Sequence, residues 1–263
     1  MRTIVVVFSL CRDWELLPRD RSAVTGPAAL ELLPQKLDTY SEAALEYAFR
    51  LQDGWAALGE PSRVWAVTPE GELPETIVRN LFAVGAARVI LLDGTKCFSD
   101  PAGSAAGLAR LVDRVDWSAL LVGWQDSTVC QSTLGPTLAR MLGVPCVGPL
   151  SDLWPEVDGL HLVRTLPEYS QQALINGPAV FAMGNSVHPY LRMATLREKL
   201  TAAGQTAERC TAPDTLPALS TLVNLSPRST GRTLSWLKGQ SPREQAASLL
   251  SAIHSCTEEG YAP

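Results

Sequence analysis

The sequence lacks several features that would assign a function directly. Its six cysteines include no C-x-x-C pair, and His161, His188 and His254 are too far apart to show a zinc-binding spacing. No metal site is therefore predicted. Neither G-x-G-x-x-G nor G-x-x-x-x-G-K-[ST] occurs, which disfavours an ordinary dinucleotide-binding or P-loop enzyme.

Positive charge and long apolar runs are also scarce. The 263 residues include 22 Lys and Arg against 27 Asp and Glu, without any basic run. This argues against nucleic-acid binding, because phosphate backbones are bound by clustered cations. No segment reaches the roughly 20 apolar residues of a membrane-spanning helix, so no membrane insertion is expected. The apolar run at 4–10 ends at Arg12 and Asp13, which indicates a core strand rather than a signal peptide and favours a cytoplasmic location.

The sequence does contain a regular alternation of apolar runs and amphipathic stripes. Hydrophobic residues make up 46% of the chain, enough for a large core without disulfides. Four successive strand-and-helix units predict an α/β fold with a doubly wound, mostly parallel, Rossmann-like sheet. The strands are predicted at 4–8, 64–67, 88–92 and 119–122. Ligands of such sheets bind beyond the carboxyl ends of the strands, here at the loops 9–13, 68–73, 93–99 and 123–133.

The second half of the chain has a different pattern. Short strands are predicted at 146–150, 160–166, 171–175 and 179–183, and we expect them to complete one edge of the same sheet. Residues 204–240 are rich in Thr, Ser and Pro, and a capping box at 241–244 opens a final helix. We therefore divide the chain into an α/β nucleotide-binding-like domain, 1–203, and a C-terminal arm and helix, 204–263. The arm and helix either fold back on the domain or dock on a partner.

The loop at 123–136 is the most informative segment. Pro136 suits the first turn of a helix that runs to Gly143, and the free N–H groups of a helix start favour a phosphate. Thr128, Ser132 and Thr133 add hydroxyl donors without a basic residue. The alternative is an ordinary helix cap inside a polar loop, and the residues alone leave both open.

Five segments, in order along the chain, carry a family resemblance. Residues 37–51 are similar to "NPFDEYALEEALRL", residues 81–92 to "ALAMGADRAILV", and residues 123–139 to G-x-x-x-x-D-x-x-x-x-Q-x-G-P-x-L-A. Residues 177–182 are similar to "LPAVVTV", and residues 228–232 to the start of R-x-x-G-x-x-x-x-G. From Leu37 onward the chain thus resembles the electron transfer flavoprotein beta subunit family.

The resemblance implies a fold of the adenine nucleotide hydrolase type and an electron carrier without catalytic residues of its own. Such a subunit pairs with an electron transfer flavoprotein alpha subunit and helps to enclose an FAD that the alpha subunit mainly holds. The pair carries electrons from a flavin dehydrogenase to a redox acceptor. Many members also bind AMP, or a second FAD, in the beta subunit.

The positions implied to bind a cofactor combine the resemblance with the predicted strand ends. They are Ser9, Asp38, Thr68, Gly123, Thr128, Ser132, Thr133, Leu134 and Gly135.

Several positions depart from the family pattern. Asp38-Thr39 replaces Asn-Pro, Thr128 replaces the loop Asp, Thr133 replaces Gln, and Trp124 replaces a Lys. These changes remove positive charge and add a carboxylate, which disfavours AMP binding.

A docking position is also implied by the resemblance. Leu196, in the segment 193–196, matches the leucine with which the family docks its partners. The alternative for Leu196 is a place in the core of a helix.

Two other function classes compete with the electron carrier. A nucleotide-binding or scaffolding module without a redox role would share the fold. A hydrolase built on Ser186 and His188 is disfavoured, because no G-x-S-x-G nucleophile elbow is present.

Overall fold

The structure, a computed structural model, describes residues 1–13, 16, 33–93, 101–126, 132–211 and 241–258. The chain divides into two compact units, Met1–Leu225 and Ser226–Pro263. The elements of the first unit are, in chain order, β1 (Arg2–Val7), β2 (Leu10–Arg12), β3 (Gln35–Leu37), α1 (Thr39–Ala57), β4 (Ser62–Thr68), α2 (Glu75–Ala83), β5 (Arg88–Asp93), α3 (Pro101–Val112), β6 (Ala119–Gly123), α4 (Leu134–Leu142), β7 (Cys146–Leu150), β8 (Asp152–Glu156), β9 (Gly159–Thr165), β10 (Ser170–Ile175), β11 (Val180–Met183), α5 (Leu196–Thr201) and β12 (Glu208–Thr211).

The main sheet confirms the predicted fold class. Within the described ranges it has seven strands in the order β12-β5-β4-β1-β6-β11-β7, and every neighbouring pair is parallel. Strand β1 lies between β4 and β6, so the chain proceeds first to one side of β1 and then to the other. This reversal makes the sheet doubly wound.

The sheet is buried on both faces, which explains the continuous apolar run of β1. Ile4 and Val6 pack into a core that contains the buried face of α1, whereas Val5 and Val7 pack into a second core with α3 and α4. A parallel strand covered on both sides has no solvent face and therefore shows no polar alternation.

Helix α1 carries the amphipathic stripe that the sequence predicts. Its apolar side chains at five positions are all buried, namely Ala44, Leu45, Ala48, Phe49 and Leu51. The helix begins at Asp38, whose carboxylate Oδ1 accepts hydrogen bonds from the N–H groups of Tyr40 at 3.0 Å and Ser41 at 3.4 Å. This cap satisfies two of the amides that a helix start leaves open.

The prediction that all the later short strands extend the same sheet is wrong in part. Strands β7 and β11 join the main sheet, but β8, β9 and β10 form a separate antiparallel sheet in the described structure. Short strands joined by tight turns pair antiparallel with their chain neighbour, whereas a parallel partner needs a long crossover. Buried Leu160 and Leu162 attach this small sheet to the core on the α1 side.

The edge of the main sheet includes a strand from the segment expected to be an arm. Strand β12 pairs with β5, and Arg88 Nε donates to Glu208 Oε1 at 2.7 Å across this pair. Three of its four residues are exposed. The strand has no apolar run, so no hydrophobic pattern indicates it in the sequence.

The second unit contains α6 (Pro242–Glu258). The N–H of Glu244 donates to Ser241 Oγ at 3.3 Å, which is one of the two bonds of the predicted capping box. Leu249, Leu250 and Ile253 of this helix are exposed. Among the helices of the described residues, none is both long and apolar enough to cross a membrane.

Candidate functional site

The strand order places the candidate site at the carboxyl ends of β1, β4 and β6. Strand β1 pairs with β4 on one side and β6 on the other, and their following loops start at Phe8, Pro69 and Trp124. The reversal of strand order lies between β1 and β6. Loops diverge at such a reversal and leave a crevice, which is where doubly wound sheets bind their ligands.

Ser9 and Asp38 belong to one hydrogen-bond network at the start of α1. The Ser9 N–H donates to Ser41 Oγ at 3.0 Å, and the two serine hydroxyl oxygens lie 3.2 Å apart. The Asp38 N–H donates to the Ser9 carbonyl at 3.1 Å. Asp38 is 1% exposed. Its carboxylate is thus committed to capping α1, close to the first crevice loop.

Gly123 lies against the same helix start. A Cβ at this position would lie 3.0 Å from Tyr40 Cβ and 3.1 Å from Ser41 N. These distances are shorter than ordinary van der Waals contact, so the glycine lets the end of β6 approach α1 without displacing the helix start. The structure therefore brings Ser9, Asp38 and Gly123 together at the start of α1.

Thr68 ends β4 beside this group and shapes the next turn. It is fully buried, and its Oγ1 accepts the N–H of Glu70 at 3.2 Å. This bond folds the chain back over the strand end and brings the Glu70 carboxylate to the crevice.

Glu70 lies in the predicted loop 68–73 but was not among the positions assigned to the site from the sequence. Its pKa is raised from 4.5 to about 7, mainly by burial and in addition by the negative charge of Asp126. The Leu10 N–H and the positive charge of Arg12 lower this pKa and partly oppose the shift. One carboxylate oxygen, Oε1, is buried and has no hydrogen-bond partner among the described residues. Its position three residues after the predicted strand 64–67 was the available signal.

The charge at the crevice is unfavourable for a phosphate. Glu70 and Asp126 carry carboxylates within electrostatic reach of each other, and Arg12 is the cation that acts on Glu70. Arg12 also donates to the Leu33 carbonyl at 2.9 Å. Above the raised pKa of Glu70, about 7, both carboxylates are charged. Two charged carboxylates beside one engaged guanidinium repel an anion, so the described donor set then does not fit a nucleotide phosphate.

The start of α4 supplies the other predicted positions. Ser132 and Thr133 precede the helix, Leu134 begins it, and Thr133 makes no side-chain capping bond. A Cβ on Gly135 would lie 3.0 Å from Val122 Cγ2, so this glycine lets α4 pack on β6. Thr128 lies outside the described residues.

Leu196 is not a core residue, so that alternative is wrong. It begins α5 and is 74% exposed, and none of the residues of this helix is buried. Its N-cap is Thr195, which forms a capping box with Glu198. Four further large apolar side chains nearby are also exposed, namely Val187, Tyr190, Met193 and Leu200. We call these five side chains the exposed apolar segment.

The hydrolase alternative has no support in the geometry. The Ser186 hydroxyl is buried without a hydrogen-bond partner in the described ranges, so it is not paired with His188. The His188 ring instead lies 5.9 Å from the ring of Tyr47.

One group of potential metal ligands lies on the small sheet. In the described part of the chain, Glu156, Asp158 and His161 offer ligand atoms within 4.8 Å of one another. His161 Nε2 lies 3.0 Å from Asp158 Oδ1, and Trp154 Nε1 donates to Glu156 Oε1 at 2.9 Å. Both carboxylates are exposed, so these bonds account for the group as a surface hairpin network.

Comparison with known families agrees with the fold and extends it. Residues 30–215, more than half of the chain, match the electron transfer flavoprotein domain. No individually curated protein matches the chain. Members of this family are electron carriers rather than enzymes. From the length of this match, the chain belongs to the electron transfer flavoprotein family.

Proposed function

We propose that this chain is a beta-type subunit of an electron transfer flavoprotein. It pairs with an alpha-type subunit that mainly holds FAD, and the pair carries electrons from a flavin dehydrogenase to a redox acceptor in the cytoplasm. The family match over residues 30–215 carries this proposal. The resemblance of residues 37–51, 81–92 and 123–139 to beta-subunit segments supports the choice of subunit.

The chain itself is proposed to hold no tight nucleotide. Its crevice keeps neutral donors at Ser9, Thr68 and the start of α4, but Glu70 and Asp126 add negative charge. The positions assigned to cofactor binding contain no Lys or Arg, and Arg12, the described cation that acts on Glu70, lies beside a carboxylate. An FAD pyrophosphate or an AMP phosphate would be repelled there for the same electrostatic reason.

The exposed apolar segment is proposed to dock the flavin dehydrogenase. Leu196 and Met193 are 74% and 90% exposed, which is unusual for large apolar side chains. Contiguous exposed apolar residues are typical of protein–protein contacts. The C-terminal segment, 204–263, is proposed to attach the alpha-type subunit, because α6 exposes Leu249, Leu250 and Ile253.

Co-expression with an alpha-type subunit tests the proposal. The purified pair is expected to show oxidised flavin absorption bands and to be reduced by a flavin dehydrogenase, while the chain purified alone is colourless. A colourless pair would favour the second candidate, a scaffolding or nucleotide-binding module without a redox role. Stoichiometric flavin on the isolated chain would instead place the cofactor in the crevice and contradict the electrostatic argument.

A further inference from the structure

The connection between β11 and α5, residues 184–195, contains neither helix nor strand, yet it is held firmly against α1. It carries Tyr190 and Met193 of the exposed apolar segment and leads directly into Leu196. A segment without regular structure has no backbone ladder of its own to fix it. Its side-chain and backbone contacts must therefore determine where these apolar side chains are presented.

The main contact is between Arg192 and Glu46 of α1. Glu46 Oε2 accepts the Arg192 backbone N–H at 2.9 Å and its Nε at 3.1 Å, and Glu46 Oε1 accepts Nη2 at 3.2 Å. The guanidinium and the carboxylate thus form a two-point pair, and the same carboxylate also holds the backbone. Such forked geometry fixes orientation as well as distance.

Two further carboxylates of α1 extend this contact along the connection. Asp53 Oδ2 accepts Arg192 Nη1 at 2.7 Å, and Glu42 Oε1 accepts the Leu191 N–H at 3.2 Å. The Arg192 guanidinium also lies 5.8 Å from the centroid of the Phe49 ring. Arg192 is therefore held by Glu46 and Asp53, seven residues apart on one helix, and the neighbouring Leu191 amide is held by Glu42.

Burial alternates along this stretch of chain. Leu191 and Ala194 are buried, and the Glu46 side chain is only 5% exposed. Tyr190 and Met193, each beside an anchored residue, are 72% and 90% exposed. The contact between Arg192 and Glu46 therefore lies on the side of α1, and it leaves the Tyr190 and Met193 side chains exposed to solvent.

We propose that Arg192 is a positioning residue: by its pair with Glu46 it holds the exposed apolar segment in a docking-ready arrangement. This rests on the docking role proposed above. A segment that is already ordered loses less conformational entropy when a partner binds. Lysine cannot replace arginine in this role, because a single ammonium cannot span both carboxylate oxygens of Glu46 in the same fork.

The test uses the purified pair with its alpha-type subunit, in wild-type form and as Arg192→Lys. Hydrogen exchange at the Leu191 and Arg192 amides reports positioning directly, since both N–H groups are bonded to α1 carboxylates. We expect at least tenfold faster exchange at these amides, with unchanged exchange in β1. Arg79→Lys is the matched control, because its pair with Glu75 is exposed on α2. Unchanged exchange in Arg192→Lys would overturn the proposal.

Docking is measured with a purified flavin dehydrogenase that reduces the wild-type pair. Arg192→Lys is expected to raise the KM for the dehydrogenase about tenfold and leave kcat within about twofold, and Leu196→Ala is expected to have a smaller effect in the Arg192→Lys background. Two results would show that the Arg192–Glu46 ion pair only stabilises the fold. One is a lower melting temperature of Arg192→Lys with an unchanged KM, and the other is full additivity of the effects of Arg192→Lys and Leu196→Ala on KM. If Leu196→Ala alone leaves KM unchanged while exchange at Leu191 still accelerates in Arg192→Lys, the docking function fails and the anchoring stands.

Discussion

Gly123 and Tyr40 are in such close contact that a Cβ on the glycine would lie 3.0 Å from the tyrosine Cβ. This contact closes the end of β6 on the first turn of α1 and keeps two crevice loops adjacent. The backbone amide of Ser41, 3.1 Å from the same point, cannot move aside without breaking the Asp38 cap.

Gly123→Ala is therefore expected to destabilise the protein. Forcing a methyl group into a packed backbone contact costs about 1–3 kcal/mol. Chemical denaturation of the isolated chain measures the change in the free energy of unfolding. Gly71→Ala is the control, because its Cβ would lie an ordinary 3.4 Å from Asp93 Oδ1. Equal stability of the two variants would contradict the tight contact.

Glu70 is expected to make stability depend on pH. Its pKa is raised from 4.5 in the unfolded chain to about 7 in the folded protein, so the folded state binds the proton more tightly. The resulting stabilisation is fully present below pH 4.5 and is lost as pH rises to about 7. Glu70→Gln removes the titration, and its stability relative to the wild type should rise across that window by roughly 1–3 kcal/mol.

The measurement is the free energy of unfolding of both proteins between pH 4.5 and 8. Parallel curves would show that Glu70 titrates normally. Asp158→Asn is a suitable comparison, since the exposed Asp158 has its pKa lowered by the hydrogen bond from His161. Its titration therefore has the opposite sign and lies below pH 3.8, so the curves of Asp158→Asn and the wild type should stay parallel between pH 4.5 and 8.

AMP is expected to bind weakly, if at all, at pH 8. The carboxylates of Glu70 and Asp126 are both charged there, and Thr133 offers only a neutral hydroxyl. Calorimetric titration of AMP into the wild type should show no saturable heat and no difference from Thr133→Asp. Saturable binding that Thr133→Asp abolishes would show instead that the start of α4 holds a phosphate.

The C-terminal unit is expected to be necessary for pairing with the alpha-type subunit. A deletion beginning at residue 205 would remove β12 and expose the edge of β5. A failure to pair could then result from a damaged fold as well as from a lost docking segment. Deletion of 226–263 keeps the whole first unit and is the better test. Co-purification of this truncated chain with its partner at wild-type yield would contradict the expectation.

Features set by local sequence were predictable. The Asp38 cap was predictable because its side chain reaches an amide only two residues further along the chain. The buried stripe of α1 was predictable because its apolar residues recur with the 3.6-residue period of a helix. The strand pairings were less accessible, because the patterns at β9 and β10 indicate strands but not their neighbours, and β8 was not predicted. Strand β12 is held by Arg88 and Glu208, which are far apart in sequence.

In the candidate site, too, the positions set by neighbouring residues were predictable, and the properties set by residues distant in sequence were not. Ser9, Gly123 and the start of α4 follow from strand ends, which the sequence locates. The raised pKa of Glu70 depends on burial and on Leu10, Asp126 and Arg12, which only folding brings near it. Likewise, the exposure of Leu196 depends on where α5 lies in the fold, because only the flanking Ala194 and Ala202 are buried against α2 and no residue of the helix itself is buried.

The outer strands of the two sheets differ in their capacity to recruit another strand. Strand β7 ends the main sheet and contains Pro149, and β8 ends the small sheet and contains Pro155. Each proline removes one amide donor from an edge, which discourages uncontrolled strand addition and aggregation there. Strand β12 has no proline and closes the opposite end of the main sheet. In the described part of the sheet, a partner strand is therefore expected beside β12, where Glu208 and Arg209 add charge that such a partner must complement.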